Sequence, residues 1–375
     1  MSLNMASENT QKRIAAALEA IAQKQTEPDT GDFDPAAAQR LVRHGLGAAS
    51  YPVGSGIPLA HTAYGTHKFN VIGQDHDHDA RGLLEHAMTI QMDDQIADGT
   101  LFDAPEALYY AKDGLAAGTY CFTIQAGYDE AYGGGKTYHF TLANAVPAGG
   151  QICFGWSYNT QAASAKITVY AGPKATTALE TVNVTEGASG TNLGTTDART
   201  ETMNHIQCVR YGYNRWSQSA IRQWLNSSAA AGEWWEPQNV FDRVPNYASR
   251  PGYLAGFDAA FVATLGEVKH STVLNTVTDG GTSEETTDKV FLLSRAEVGL
   301  GNERAGQDDG SVYEFWNGST ATDRIKLRGA SAAHWWLRTP NASSAYHVRY
   351  VGADGTLSSN YASYAYGVAP ACVIM

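Results

Sequence analysis

The segment 75–79 reads DHDHD and has, more than any other part of this sequence, the residue types of a metal site. Imidazole and carboxylate groups are ordinary ligands of zinc and calcium. In an extended chain His76 and His78 point to one side and the three aspartates to the other. The segment lies between two strand-like runs, where aspartate is common because it favours turns. We therefore interpret it as a hairpin loop and predict no bound metal at His76 or His78.

Two further segments have fragments of ligand-binding motifs. Residues 307–311 read QDDGS, a piece of a calcium loop whose other positions are missing. Residues 127–136 read GYDEAYGGGK, with a glycine run and a lysine, but they lie between predicted strands. A phosphate cradle needs a helix N-terminus after the glycines. We interpret 127–136 as a hairpin turn and assign neither segment a ligand.

The usual catalytic motifs are missing from the sequence. It has no GxSxG, HExxH, P-loop or dinucleotide-binding glycine pattern. The tryptophan pairs Trp234–Trp235 and Trp335–Trp336 are either sugar platforms or core residues, and we favour the core because such pairs usually place a ring there. We predict that the protein is not an enzyme and needs no cofactor.

Composition and charge restrict the class of protein. The 375 residues include 38 glycines, and only 17% are charged, which favours loop-rich β structure. The formal net charge is −12 and no run of basic residues occurs, so nucleic acid and anionic membranes are poor partners. We also predict no membrane insertion. The four cysteines are spread without a CxxC pair, which indicates buried free thiols. The first residues have no apolar signal-peptide core, and no stretch is long and apolar enough for a bilayer.

The elements that must position these residues fall into three regions. Residues 1–49 are predicted to form a short N-terminal helix, with its apolar stripe in 7–25, and a linker. Residues 50–105 contain two strands joined by the DHDHD loop. Residues 106–195 alternate apolar and polar residues between turn signals, which is typical of a small β-sandwich.

The third region, 196–375, mixes helices and strands. Ser217 or Ser219 can cap a helix whose apolar face is Ile221, Trp224 and Leu225. A second short helix is predicted at 256–265 and a buried strand at 290–299. Three closing strands follow. The fold class is therefore α+β.

Four motifs occur in a characteristic order: NRWSQSAIRQWLNS (214–227), FLLSRAEVG (291–299), WWLRTP (335–340) and GVAPACVI (367–374). Together with 51–77, this order resembles the formylglycine-generating-enzyme type of C-type lectin fold, in the form found in bacterial and phage proteins. The resemblance covers about 50–100 and 200–375. It implies one discontinuous C-type lectin-like domain, 50–105 and 196–375, with 106–195 inserted as the sandwich. The oxygen-activating members of that fold need a reactive cysteine pair. Only Cys372 lies in the last hundred residues, so that activity is not implied.

One class within this fold, the variable proteins of diversity-generating retroelements, includes phage tropism determinants. Adenine-directed mutagenesis turns their AAY codons into NNY codons, which cannot specify Lys, Glu, Gln, Met or Trp. None of these five residues occurs from Asn341 to Tyr366, NASSAYHVRYVGADGTLSSNYASYAY. An ordinary loop rich in Gly, Ser and Tyr is the alternative interpretation.

The composition of 341–366 also has a physical meaning. Tyrosine offers a large amphipathic contact at low rotamer cost, and Ser and Asn adapt around it, as in antibody binding sites. We predict an accessible binding surface on one face, anchored by inward-pointing Val348, Val351, Leu357 and Val368. Its predicted ligand-binding residues are Asn341, Ser343, Ser344, Tyr346, His347, Arg349, Tyr350, Ser358, Ser359, Asn360, Tyr361, Ser363, Tyr364 and Tyr366.

The leading hypothesis is a receptor-binding protein of a phage or prophage, located in the virion tail or in the cytoplasm before release. The expected partners are a cell-surface protein or glycan receptor and other virion proteins. A homo-oligomer tethered by the N-terminal helix would strengthen weak single sites. The alternatives are a carbohydrate-binding module that uses the sandwich and an enzyme of the formylglycine-generating class, which the cysteine pattern disfavours.

Overall fold

The fold is α+β, as predicted, and consists mainly of small antiparallel sheets. The computed structural model describes residues 33–96, 99–104, 109–111, 114–124, 137–142, 144–145, 147–148, 150–152, 166–183, 211–236, 238 and 244–375. Within these ranges the α-helices are α1 (Pro35–Arg43), α2 (Gly47–Ser50), α3 (Ala220–Leu225) and α4 (Ala259–Val262). Single turns of 3-10 helix lie at Trp216–Gln218, Tyr253–Gly256, Glu314–Trp316 and Thr322–Arg324.

The strands follow the turn signals of the sequence. In the first half of the chain they are β1 (Gly56–His61), β2 (Gly65–Gln74), β3 (Met88–Met92), β4 (Thr100–Leu101), β5 (Tyr109–Ala111), β6 (Gly118–Ile124), β7 (Thr137–Leu142), β8 (Gly150–Ile152), β9 (Lys166–Ala171) and β10 (Ala178–Asn183). In the second half they are β11 (Val268–Val273), β12 (Ser283–Asp288), β13 (Val290–Phe291), β14 (Lys326–Arg328), β15 (Ser331–Ala333), β16 (Trp335–Pro340), β17 (His347–Val351), β18 (Leu357–Tyr361), β19 (Ala365–Tyr366) and β20 (Ala371–Ile374).

A five-stranded sheet joins the two ends of the described chain. Its strand order is β1-β2-β3-β20-β13, and β20 pairs antiparallel with both β3 and β13. Cys372 lies opposite Ile90 on one side and Val290 on the other. Farther along, β4 pairs with β19. Residues 56–101 therefore share sheets with residues 290–374, which brings the polar loops of the first part beside the closing strands.

The described part of 106–195 forms sheets of its own. Strands β10, β9, β6 and β7 make a four-stranded antiparallel sheet, and β5 pairs with β8. Strands β6 and β7 flank the segment 127–136, which lies outside the described residues. The antiparallel pairing of its flanks agrees with the predicted hairpin. The assignment of the whole unit as an inserted sandwich stays a prediction.

Large aromatic side chains fill the main core. Trp216, Trp224, Trp335 and Trp336 are all fully buried. Helix α3 contributes to this core as predicted. The Ser219 side chain caps it by accepting from the Arg222 amide, and Ile221, Trp224 and Leu225 are buried.

The prediction for the N-terminal region was wrong in part. Residues 1–49 were assigned to one short helix, with its apolar stripe in 7–25, and a linker, but 35–50 form α1 and α2, and Val42 packs in the main core. Asp34 caps α1 by accepting from the Ala36 and Ala37 amides, and Pro35 occupies the first helical position. The run of aspartate, proline and alanine is a helix start rather than a linker signal. The helix predicted at 7–25 lies outside the described residues.

Cys121 and Cys372 are buried free thiols, as predicted, whereas Cys153 and Cys208 lie outside the described residues. In the ranges given above, no helix is long and apolar enough to cross a membrane.

Candidate functional site

The segment 341–366 is carried by a three-stranded antiparallel sheet, β16-β17-β18. Strand β18 is the last strand in this order and pairs only with β17 among the described strands. The chain then turns through 362–364 into β19, where Tyr366 lies opposite Thr100. The predicted site is therefore an edge hairpin followed by a return strand that ties it to the first part of the chain.

A buried side chain holds the beginning of this segment through its main chain. The Nδ2 atom of Asn214 donates to the carbonyl oxygens of Ser344 at 2.5 Å and His347 at 2.8 Å, with a third, longer contact to Asn341 O at 3.5 Å. Asn214 is itself fully buried and accepts from Asn275 Nδ2 at 3.1 Å. Because these hydrogen bonds are made to main-chain carbonyl groups, they do not depend on which side chains the segment has.

The inward anchors of the segment are mostly those predicted. Val348, Val351 and Val368 are fully buried. Leu357 is only half-buried, although it packs against the main core. It lies opposite Val351 on the edge strand β18, where fewer neighbours can cover it.

Alternation along β17 and β18 separates the predicted site residues into two sets. His347 lies opposite Tyr361, and Arg349 lies opposite Ser359. Because successive side chains of a strand point to opposite faces, these four residues share one face. Tyr346 joins them through ring contacts with His347 and Tyr361, with centroid distances of 4.5 and 5.8 Å. We call these five residues the Tyr361 face.

The intervening residues lie on the opposite side of the hairpin. Tyr350, Ser358 and Asn360 alternate with the Tyr361 face. Asn360 Nδ2 donates to the Tyr366 hydroxyl at 2.5 Å, and the Tyr350 and Tyr366 rings are 4.7 Å apart. We call these four residues the Tyr366 face.

The prediction of a single face was therefore wrong. A consecutive run such as 358–361 must present its side chains to both sides of a strand. Tyr364 lies between the two sets, with its ring 5.6 Å from Tyr361 and 6.1 Å from Tyr366. Among the tyrosines whose exposure the structure describes, it is the most exposed, at 48%. The aromatic surface thus continues around the edge of β18.

Two residues outside the predicted site, Tyr211 and His334, extend these faces. The ring of Tyr211 stacks on Tyr361 at 3.8 Å, and its carbonyl accepts from the Ser363 amide at 2.8 Å. On the other side the His334 ring lies 5.0 Å from both Tyr350 and Tyr366. Neither residue belongs to 341–366, and no local sequence signal marks them.

The remaining predicted residues differ in how accessible they are. Ser343 is exposed, while Asn341 and Ser363 are half-buried. Ser344 is buried, which corrects its assignment to the accessible surface. Its hydroxyl oxygen accepts from the amides of Tyr346 and His347, so it stabilises the turn into β17.

Arg349 is already paired within the protein. Its guanidinium donates to both oxygens of Glu303, at 2.8 and 2.5 Å. Glu303 also accepts from Arg295 at 2.7 Å and from the Ala342 amide at 3.0 Å. Burial alone would raise the pKa of Glu303, but these donors, Arg349 foremost, hold it below its usual value. Glu303 therefore keeps two partners if Arg349 is replaced.

The DHDHD segment is the loop between β2 and β3, as predicted. Its aspartates accept hydrogen bonds that shape the loop, from the Ala87 amide, from the Thr89 and Tyr313 hydroxyls and from the Leu83 amide. The His76 ring stacks on Tyr313 at 3.9 Å, whereas His78 is exposed. Among the described residues, no group of three or more His, Cys, Asp or Glu side chains is arranged to hold a metal.

The QDDGS segment contributes to the core. Asp309 is fully buried and accepts from the Thr339 hydroxyl at 2.8 Å. Nearby, Arg338 donates to both oxygens of Glu297, at 2.6 and 2.5 Å, and this pair is buried. Burial raises the pKa of Asp309 to about 7, although Arg338 and the Thr339 hydroxyl oppose the shift. These groups are structural, because a buried ion pair needs such partners.

The tryptophan pairs are core residues, as we favoured. Trp335, Trp336 and Trp234 are buried, and Trp235 is partly buried against the main core. Trp234, Trp335 and Trp336 are therefore core residues, and Trp235 lies at the edge of the core.

Comparison with known proteins gives one match. A family described as a domain of unknown function (DUF6273) matches residues 194–375, which include the whole of the candidate site. No curated protein and no solved structure matches this chain.

Proposed function

We propose that this protein is a receptor-binding protein of a phage or prophage, and that residues 341–366 form a binding surface diversified by a retroelement. The observation that carries the proposal is the run of partly exposed aromatic rings around the edge of β18. These rings are Tyr211, Tyr346, His347, Tyr361, Tyr364, Tyr366 and Tyr350. Tyrosine-rich surfaces with adaptable Ser and Asn neighbours are typical of protein recognition sites.

The anchoring of the segment supports its diversification. Asn214 holds main-chain carbonyls, and the Ala362 carbonyl accepts from the Phe102 and Asp103 amides at 2.9 and 3.1 Å. The buried positions Val348 and Val351 are not in the set of predicted contact residues. Replacing an outward side chain therefore removes little of what holds the hairpin in place.

The proposed fold is a C-type lectin-like domain made from 50–105 and 196–375, with 106–195 inserted as a β-sandwich. The sheet shared by β3, β13 and β20 supports joining these two parts of the chain. The proposed partners are a cell-surface protein or glycan receptor and other virion proteins, with the protein in the tail. Repeated copies would strengthen weak single sites.

Non-enzymatic binding is the better proposal than oxygen-activating catalysis. Cys372 is buried in β20, and burial raises the pKa of its thiol. Thiolate chemistry needs a lowered pKa and access to substrate. Nothing in the described part of 106–195 favours the sandwich as a separate carbohydrate-binding site.

DNA sequencing tests the retroelement proposal. The codons for 341–366 should have a near-copy elsewhere in the genome, with adenine at the variable positions and a reverse transcriptase gene nearby. Populations of the same phage should differ at those positions, with changes confined to them. A genome without the repeat, or changes spread evenly over the gene, would refute retroelement diversification.

A library experiment tests the surface itself. NNY codons would replace Tyr346, His347, Arg349, Tyr361 and Tyr364, and the folded fraction would be measured by protease resistance. A matched library would replace Val348, Val351, Ala362, Val368 and Leu337. We expect most members of the first library and few of the second to fold, because truncations in a packed core leave cavities. Equal loss in both would contradict the proposal.

A further inference from the structure

A cavity of about 420 Å³ opens beside the DHDHD loop, away from both tyrosine faces. Its lining comes from residues 76–80, from β11 and its partner β12, from Glu297 and from the segment 308–311. Among the described residues, no member of 341–366 contributes to it. The cavity is large enough for a small molecule.

His270 on β11 gives this cavity an unusual polar group. The residue is 4% exposed, and its ring lies 3.7 Å from that of Phe291. In the described part of the chain, its Nε2 atom has no hydrogen-bond partner. A buried polar atom without a partner is unfavourable, so a ligand that supplies the partner would stabilise this arrangement.

The protonation state of His270 determines what that partner must be. Burial lowers the pKa of His270 well below its ordinary value, and the nearby Arg338 guanidinium adds to this effect. The imidazole is therefore neutral near pH 7. A neutral imidazole with its proton on Nδ1 offers Nε2 as a hydrogen-bond acceptor.

Carboxylates dominate the charge around the cavity. Asp77 and Glu297 line its buried part and are bonded to Tyr313 and Arg338, respectively. Asp308 has an exposed side chain, and among the described residues its Oδ1 accepts one local bond, from the Gly310 amide at 3.1 Å.

Glu285 is the second exposed carboxylate of the cavity, and its ion pair is weak. It lines the cavity and, among the described residues, forms an ion pair with Lys269, at 3.6 Å between exposed side chains. Exposed pairs of this kind contribute little. Lys269 is also the one lysine or arginine among the cavity-lining residues. The acidic excess favours a positively charged ligand.

We propose that this cavity binds a small organic cation with a primary ammonium group, whose N–H donates to His270 Nε2 while the Asp308 carboxylate balances its charge. An ammonium group has several N–H donors and no acceptor, which matches a neutral imidazole nitrogen beside carboxylates. Glu285 lines the same cavity, and its negative charge adds to the attraction for the cation.

Calorimetry with simple amines tests the proposal. Ethylamine and putrescine would be titrated into the whole protein at pH 7 and low salt, with tetramethylammonium as the matched ligand that lacks N–H donors. We expect binding of the amines and none of tetramethylammonium. His270→Phe keeps a ring against Phe291 but removes the acceptor, and it should weaken amine binding about tenfold or more.

Two further variants separate binding from folding. Asp308→Asn changes an exposed residue and should weaken amine binding severalfold while the protein stays folded, as checked by circular dichroism. Glu233→Gln removes one negative charge from an exposed residue outside the cavity and should leave binding unchanged. If His270→Phe does not fold, His270→Leu, which also has no hydrogen-bond acceptor, takes its place.

The proposal is overturned by any of four results. These are no heat with either amine up to about 10 mM, equal binding of tetramethylammonium, unchanged binding in both the His270 and Asp308 variants, or binding of Zn²⁺ or Ca²⁺ in preference to the amines. Because the tyrosine faces take no part in this cavity, the outcome is independent of the proposed receptor binding.

Discussion

The rings of Tyr211 and Tyr361 stack with their centroids 3.8 Å apart and their planes inclined by 11°. Tyr361 ends β18, while Tyr211 begins the first described segment after the sheet formed by β6, β7, β9 and β10. The stack brings together residues from the two ends of the 196–375 region. A fixed ring outside the tyrosine-rich segment therefore orients a ring inside it.

Three tyrosines at the edge of β18, the partly exposed Tyr346 and Tyr361 and the exposed Tyr364, should be dispensable for folding. We expect the triple variant Tyr346→Ala, Tyr361→Ala and Tyr364→Ala to lose about 1–3 kcal/mol of unfolding free energy, mainly from lost ring contacts. Trp336→Ala, as the core control, should lose about 3–5 kcal/mol. Urea unfolding followed by tryptophan fluorescence would measure both. A triple variant that is unfolded without urea would show that the tyrosines are structural.

Asn214 should matter more than any one tyrosine. Asn214→Ala leaves the carbonyls of Ser344 and His347 without their donor, and we expect a loss of about 2–3 kcal/mol. Amide hydrogen exchange should accelerate first in 341–347. Asn360→Ala, which removes an asparagine from the half-buried edge strand, is the matched control and should cost about 1 kcal/mol. Equal losses in the two variants would contradict the role of Asn214 as the main-chain clamp.

Replacing Arg349 should cost less stability than replacing its ion-pair partner Glu303. Arg349→Ser should cost less than about 1 kcal/mol, because Glu303 keeps Arg295 and the Ala342 amide. Glu303→Gln should cost about 2 kcal/mol, because two arginines then lose their charged acceptor. Thermal unfolding at pH 7 distinguishes the two substitutions.

The ion pair between Arg349 and Glu303 also predicts how stability depends on pH. The folded-state pKa of Glu303 lies below its ordinary value of 4.5, so its stabilisation is complete above that value and is lost as the pH falls through the folded-state pKa. The difference in stability between wild type and Glu303→Gln should therefore shrink below about pH 4.5. A difference that stays constant from pH 7 to pH 3 would contradict this assignment.

Asp309 should give stability the opposite dependence on pH. Its folded-state pKa is raised to about 7 from an ordinary value of 3.8, so the folded protein binds the proton more tightly than the unfolded chain. Between about pH 4 and pH 7 the unfolded chain loses this proton while the folded protein keeps it, so stability falls over that range and levels off above it. Asp309→Asn should unfold at a higher temperature than wild type at pH 8 and at a similar temperature near pH 4.

The control for this prediction is Asp308→Asn, its exposed neighbour. We expect its melting temperature to follow that of wild type at both pH values. If Asp309→Asn is instead the less stable protein at pH 8, the folded-state pKa of Asp309 is not raised, and the Arg338 guanidinium outweighs burial.

Local sequence patterns determined several elements of this protein. The cap at Ser219 and the spacing of Ile221, Trp224 and Leu225 predicted α3. Turn residues between apolar runs predicted the β2–β3 hairpin and its DHDHD loop. The valines spaced through 348–368 predicted the inward side of the segment. Each of these signals acts between residues that are neighbours along the chain.

Only the tertiary structure decided how the candidate site is assembled. The clamp by Asn214, the stack with Tyr211 and the pairing of Glu303 with Arg349 join residues that are far apart in sequence. The same holds for the buried Asp309 of the QDDGS segment, whose hydroxyl donor Thr339 lies 30 residues farther along the chain. Hydrogen bonds and ring contacts act over a few ångströms in space, so a residue's partners follow from the path of the whole chain and not from its immediate neighbours.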